Sequence, residues 1–310
     1  MNVSDESGGL TRREALGLAA LGALGVSGCA STPGPVIQNR RIRQSLVYWC
    51  FHMRGEKWDA ETLCGAAKSL GCESVELCPP TVFPTLKAYG LTCAIAPNGM
   101  KGPPFMRGLN NKDFHETVFT STRKVMDACS EAGFPGVIAF NGFKWKNPED
   151  PTSGEISREE GAANCVEGLK ELARYGEKKN VTVHLEMLNT RDDGMMKGHP
   201  GYQGDDIDYV ADIVRAVGSE RVKVLFDIYH VQIMHGDIIR RLHENRDVIG
   251  HIHTAGNPGR GELDDRQEIH YPGCMTALLD IGYQGFVGHE FIPTRDPMAG
   301  LREACRQCDV

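Results

Sequence analysis

The sequence predicts a single-domain α/β chain folded as a (β/α)8 TIM barrel, and three observations predict it. From Ser45 to the end, apolar runs of five to seven residues alternate with helical patterns, the rhythm of repeated βα units about a parallel sheet. Eight such runs fit into about 265 residues, against about 250 in a typical barrel of this type. The 36 glycines and only 7% aromatic content suit many tight strand-to-helix turns better than an aromatic-rich sandwich. A doubly wound nucleotide-binding sheet is the competitor, but no Gly-x-Gly-x-x-Gly follows the first strand and no Walker sequence occurs,.

Taken in order, the strands are expected at 45–51, 74–77, 91–96, 136–140, 181–188, 222–228, 248–254 and 286–291, each a short β-branched or aromatic run,. Helices are expected between them at 59–70, 83–89, 113–132, 157–179, 207–217, 236–245 and 275–281,. Ser157 stands three residues before Glu160, a helix-start signature. Gly71, Gly133 and Gly282 fall just past helix ends,.

Residues 1–30 read as an export signal and are set aside from the fold. Thr11-Arg12-Arg13-Glu14 supplies paired arginines ahead of an uncharged run at 15–28, which is too short to span a bilayer. Val26-Ser27-Gly28-Cys29 resembles a lipoprotein box, so the chain is expected to be exported by a twin-arginine route and to be periplasmic or anchored through lipid on Cys29. Ala15 stands where such leaders often carry Phe, and a plain signal cleaved after Ala30 is the alternative. Residues 31–44, with Pro33, Pro35 and the basic Arg40, Arg41 and Arg43, read as a short tether, and 45–310 as the barrel.

Composition excludes other classes. With 34 Lys+Arg against 41 Asp+Glu and a formal charge of −7, the surface lacks the clustered cations that a phosphate backbone requires, so nucleic acid is not an expected partner. Cysteines other than Cys29 are irregularly spaced inside apolar stretches, where thiols pack as small hydrophobes rather than as a disulfide framework. Cys305-Arg306-Gln307-Cys308 has no second pair beside it and reads as incidental or structural. Oligomeric state is left open.

Alternation along barrel strands supplies the candidate site, because catalytic groups gather at strand carboxyl ends. In the strand from Val181, the residues Val181, Val183 and Leu185 share one face, while His184 and Glu186 share the other. Asp227 closes the strand from Val222, His251 and His253 flank an outward Ile252, and Glu290 closes the strand from Phe286. Four successive strands thereby bring Glu186, Asp227, His253 and Glu290 to one rim. Three carboxylates converging on an enclosed cavity must take up protons unless a cation neutralises them. Three oxygen donors and one imidazole suit Mn²⁺ or Mg²⁺, with Zn²⁺ or Co²⁺ also compatible. Singly, each residue has a plainer role as a cap, an ion-pair partner or a core histidine.

The segments Val183–Asn189, Leu225–Gln232, Gly250–Arg260, Tyr271-Pro272 and Gly282–Phe291 resemble those of the hydroxypyruvate isomerases, within the wider xylose-isomerase-like superfamily that includes ketose 3-epimerases and endonuclease IV. The similarity runs from about Leu46 to Val310. The resemblance implies that Glu186, Asp227, His253 and Glu290 are metal ligands and that Glu186 and Glu290 are also the catalytic acid/base pair. It further implies that His230 and Arg260 bind substrate; the plainer alternatives are a strand-end cap for His230 and a tie for the 256–261 loop for Arg260. His115, Asn141 and His199 are weaker polar candidates. The expected reaction is proton movement between adjacent carbons of a hydroxy-carbonyl substrate, hydroxypyruvate to tartronate semialdehyde, through a metal-stabilised enediolate. The alternatives are a ketose epimerase or aldose–ketose isomerase, an endonuclease IV-like phosphodiesterase, and a non-catalytic binding lipoprotein. The phosphodiesterase would need more histidine ligands and a basic groove. The export leader and the loop 98–110 depart from the cytoplasmic relatives, and such loops build the pocket wall.

Overall fold

A computed structural model describes residues 34–310, so the expected leader and Cys29 lie outside the described residues. The chain runs β1 (Arg43–Val47), α1 (Tyr48–His52), α2 (Ala60–Leu70), β2 (Ser74–Glu76), α3 (Phe83–Ala88), α4 (His115–Ala132) and β3 (Gly136–Phe140). A hairpin of β4 (Trp145–Asn147) and β5 (Asp150–Glu155) precedes α5 (Arg158–Lys179) and β6 (Thr182–Glu186). The last half adds α6 (Ile207–Val217), β7 (Val222–Asp227), α7 (Ile228–Met234), α8 (Ile238–Glu244), β8 (Ile249–Thr254), α9 (Tyr271–Asp280), β9 (Phe286–His289) and α10 (Pro297–Gln307).

Seven strands form one parallel sheet in the order β2-β1-β9-β8-β7-β6-β3. The eighth position is filled by the run 91–96, which bridges both edges through Ser74↔Thr92 and Ala96↔Val137. Val75 N donates to Thr92 O at 3.1 Å, and Ala96 N donates to Gly136 O at 2.9 Å. These bonds remove both open edges. A core of aliphatic side chains fills the space between sheet and helices. A smaller cluster of Ile95, Ile138, Phe140, Leu188, Tyr202 and Leu225 packs separately.

Capping explains most helix boundaries. Asp59, Ser157 and Asp206 accept from backbone N–H groups of the first turns they precede,. Gly71 and Gly133 close α2 and α4 with φ of 95° and 77°, a conformation that side chains with a Cβ resist.

The structure departs from the sequence reading in several places. The first strand stops at Val47, where its pairing with Glu76 ends, and the β-prone Tyr48–His52 turns into a helix for want of further partners. Helix α9 begins at Tyr271 with Pro272 in its first turn, ahead of the expected start at 275. The hairpin, α7 and α10 were not anticipated, although Asp296 capping the Met298 N–H and Pro297 behind it are a legible start signal for α10. The stretch read as a tether is, from Pro35 on, part of the barrel: Ile37 and Ile42 are buried, and the Asp309 carboxylate accepts from Gln38 N at 2.6 Å and Asn39 N at 3.0 Å.

The ten cysteines among the described residues are buried and free. Cys305 meets Cys72, Sγ to Sγ 3.8 Å, rather than Cys308. Among the described residues, no helix is long and apolar enough to cross a membrane.

Candidate active site

Glu186 ends β6, Asp227 ends β7, His253 lies in β8, and Glu290 follows β9 directly. The register pairs Asp227 with His253 and His253 with Gly288, so these ends rise to the same height. Each of the four residues offers one ligand atom lying within 4.8 Å of the others, and all four are buried. His253 Nδ1 is 3.0 Å from Glu290 Oε2 and 3.6 Å from Glu186 Oε1.

The second carboxylate oxygens and neighbouring backbone fix these side chains. Asp227 Oδ1 caps α7 by accepting from Tyr229 N at 2.8 Å, which leaves Oδ2 facing the cluster. Trp49 Nε1 donates to Glu290 Oε1 at 2.9 Å, and Arg260 Nη2 donates to Glu290 Oε2 at 2.6 Å. Tyr202 OH donates to the Glu186 carbonyl at 2.8 Å and receives Asn141 N at 2.8 Å.

Burial, with the Glu290 charge beside it, pushes the Glu186 carboxyl up to about 7, opposed by the neighbouring His253. Burial and the same neighbour lift Asp227 to about 6. Glu290 goes the other way: burial would raise it, but His253 and Arg260 outweigh that and hold it well below the usual range. Two carboxylates set apart by their surroundings are the pattern of an acid/base pair.

Buried atoms without hydrogen-bond partners test whether a cation fits. Glu186 Oε1, Asp227 Oδ2 and His253 Nδ1 are all of this kind, and an orphaned buried polar atom is costly unless something binds it. The donor set of three carboxylates and an imidazole fits a hard or borderline divalent ion. Because protons occupy Glu186 and Asp227 below about pH 6 to 7, a cation must displace them. Affinity for Mn²⁺ should therefore rise between about pH 5 and 8 with protons released on binding. Calorimetry in buffers of different ionisation heat measures both, and a flat profile would contradict the assignment.

The remaining sequence candidates divide. His230 is fully buried, its Nδ1 accepting from Asn189 N at 3.1 Å and lying 2.7 Å from Asn189 Nδ2. That leaves the proton on Nε2, which is unpartnered and 3.6 Å from Asp227 Oδ2. Burial and nearby Arg260 keep this ring neutral. Arg260, expected to meet substrate, hydrogen-bonds Glu290 and Met196 O, yet it also lines the cavity. His199 lines the cavity against Phe105, ring centroids 4.0 Å apart. His115 serves the fold by bonding Leu109 O, and Asn141 Nδ2 donates to Cys165 Sγ.

Three residues escaped the sequence reading. Glu76, at the end of β2, sits beneath His253 and is fully buried; its signal was the strand-closing carboxylate of Ser74-Val75-Glu76, the same pattern as in the later strands. Trp49 and Tyr202 had no signal, since both lie in apolar or loop contexts and reach the site only through the fold.

Above the cluster lies a cavity of about 400 Å³. Of the four clustered residues, Glu186 and Glu290 line it. Its walls include Trp49, Leu77, Phe105, Ile138, Phe140 and Leu188, and the loop residues Asn98, Pro103 and Pro104 close one side.

Residues 64–308 match the family described as Xylose isomerase-like TIM barrel. The chain is 36% identical over 179 residues to the 2-oxo-tetronate isomerase of Cupriavidus necator, covering 55% of this chain and 66% of that one. It is 34% identical over 136 residues to a putative hydroxypyruvate isomerase of Homo sapiens, covering 44% and 47%. The aligned stretches thus span less than two thirds of these curated relatives. In structure it is similar to an AP endonuclease, family 2, from Brucella melitensis, with TM-score 0.69, 23% identity, and coverage of 84% and 97%; at that identity the likeness concerns the fold.

Proposed function

The chain belongs to the xylose isomerase-like TIM barrel family, and on that premise we propose that it is a divalent-metal-dependent isomerase of the hydroxypyruvate isomerase type. Its reaction moves a proton between adjacent carbons of a hydroxy-carbonyl substrate. The observation that carries this reading is that Glu186 and Glu290, with acidities pulled in opposite directions, face one cavity beside a cluster fitted to a cation. When bound, that cation supplies Lewis-acid stabilisation of the negative charge that develops on neighbouring carbonyl and hydroxyl oxygens.

Glu186, Asp227, His253 and Glu290 would hold the ion. Glu186 has an unpartnered oxygen and a raised pKa, which suits it to take the carbon-bound proton. Glu290, held ionised and oriented by Trp49 and Arg260, relays the hydroxyl hydrogen between the neighbouring substrate oxygens, and Glu186, once protonated, returns the proton to the adjacent carbon. His230 lies behind the cavity lining, and its unpartnered Nε2–H, 3.6 Å from Asp227 Oδ2, would serve as a neutral donor to a substrate oxygen reaching the cluster. With hydroxypyruvate, C3 loses a proton, the C3 hydroxyl hydrogen moves to the C2 oxygen, and C2 gains a proton, giving tartronate semialdehyde without net gain or loss of atoms.

A second reading, epimerisation or isomerisation of a sugar, is favoured by the cavity, whose volume and apolar wall exceed what a three-carbon acid fills. Incubating Mn²⁺-loaded protein in D₂O with hydroxypyruvate and with a panel of ketoses tests both. Deuterium at carbon in hydroxypyruvate supports the first reading, deuterium in a ketose alone supports the second, and no exchange anywhere overturns the proposal.

The leader motif further supports export and anchoring at Cys29,. Fractionation of cells expressing the full chain should find it in the membrane, and Cys29→Ala should release it; an unchanged distribution would count against the anchor.

A further inference from the structure

On the far side of the His253 ring from Glu186 and Glu290, Glu76 has no exposure to solvent. A single oxygen, Oε1, accepts from His253 Nε2 at 2.7 Å and from His251 Nε2 at 2.8 Å. A carboxylate accepting from Nε2 obliges that nitrogen to keep its proton, so the lone pair a cation takes from His253, with loss of the other ring proton, is the one on Nδ1. Nδ1 is the atom that faces Glu186 and Glu290.

Glu76 reaches this position because β9 leaves a gap. A Cβ at Gly288 would lie 2.4 Å from Glu76 Oε1 and 2.9 Å from His253 Cδ2. Gly288 is the register partner of His253 across the sheet, and its backbone is not among those with positive φ. Glycine is therefore required here by space and not by conformation.

We propose that Glu76 is a positioning residue that presents His253 Nδ1 to the cation, and that Gly288 is the opening through which it does so. The inference rests on the cation reading of the cluster. Partners of ligating histidines fix ring orientation and typically change metal affinity by about 10- to 100-fold when lost.

The test compares full-length wild type with Glu76→Gln, Glu76→Leu and Gly288→Ala, using Mn²⁺ alone as the probe. Glu76→Leu and Gly288→Ala should weaken Mn²⁺ binding by about 10- to 100-fold, and Glu76→Gln, which keeps an uncharged acceptor, by about 10-fold. Nitrogen-15 NMR of histidine in the Mg²⁺ form should show His253 protonated at Nε2 in wild type and a mixture of tautomers in Gly288→Ala. A merely structural role would not move that signal. Should Glu76→Leu fail to fold, the near-isosteric Gln variant and the glycine variant carry the test. Wild-type affinity in both of those, with wild type itself binding Mn²⁺, overturns the role of Glu76 while leaving the cation site standing. Failure of wild type to bind Mn²⁺ overturns the cation site and this inference together.

Discussion

Glu186→Gln should lower the rate of carbon-proton exchange by about 10³-fold or more at saturating Mn²⁺, because an amide cannot take the proton that general-base catalysis moves. The side chain ends β6 with its backbone carbonyl tied to Tyr202 OH, so the variant should fold with unchanged spectra. Its unpartnered oxygen and its pKa of about 7 place it near the operating pH, where a base both accepts and returns a proton well. The same substitution replaces a charged ligand with a neutral amide oxygen, so Mn²⁺ affinity must be measured alongside and saturation established before rates are compared. Deuterium incorporation at the wild-type rate would remove Glu186 from the reaction. The companion Glu290→Gln should lose activity to a similar degree, but it also unpairs Arg260.

That pairing sets the second large effect. Arg260→Met should cost the cation-free protein about 3 to 5 kcal/mol of stability in urea, the usual penalty for stranding one member of a buried ion pair. Arg260 and Glu290 are 3% and 5% exposed in their side chains and 2.6 Å apart, with Asp227 Oδ2 at 3.8 Å from the same nitrogen. Burial opposes the charge on each, and each is nevertheless shifted toward its charged form by the other. Mn²⁺ should recover part of the loss, since a divalent ion replaces the missing positive charge among the three carboxylates. A loss below about 1 kcal/mol, equal with and without Mn²⁺, would mean that the guanidinium contributes little to neutralising the cluster.

The strand ends carrying Glu186, Asp227, His253 and Glu290 were legible because alternation along a strand is a local property, readable once a strand is recognised. Helix starts at Asp59 and Ser157 were legible for the same reason, since a cap contacts residues two or three places on,. Where local propensity met absent partners it misled: Tyr48–His52 is β-prone in sequence and helical in the fold. Arg260 lines the cavity, but its principal partner, Glu290, lies thirty residues away and could not be read from either segment.

What the sequence by itself determined is the alternation of the barrel strands with most of their helices and the face on which each polar strand residue lies, since both follow from periodicities a few residues long. Only the tertiary structure decided which of those residues meet: the contact of Glu76 with His253, 177 positions apart, and the space left for it by Gly288. The physical reason is that barrel closure fixes the stagger between strands, and that stagger depends on packing around the whole ring, for which no short segment carries a signature.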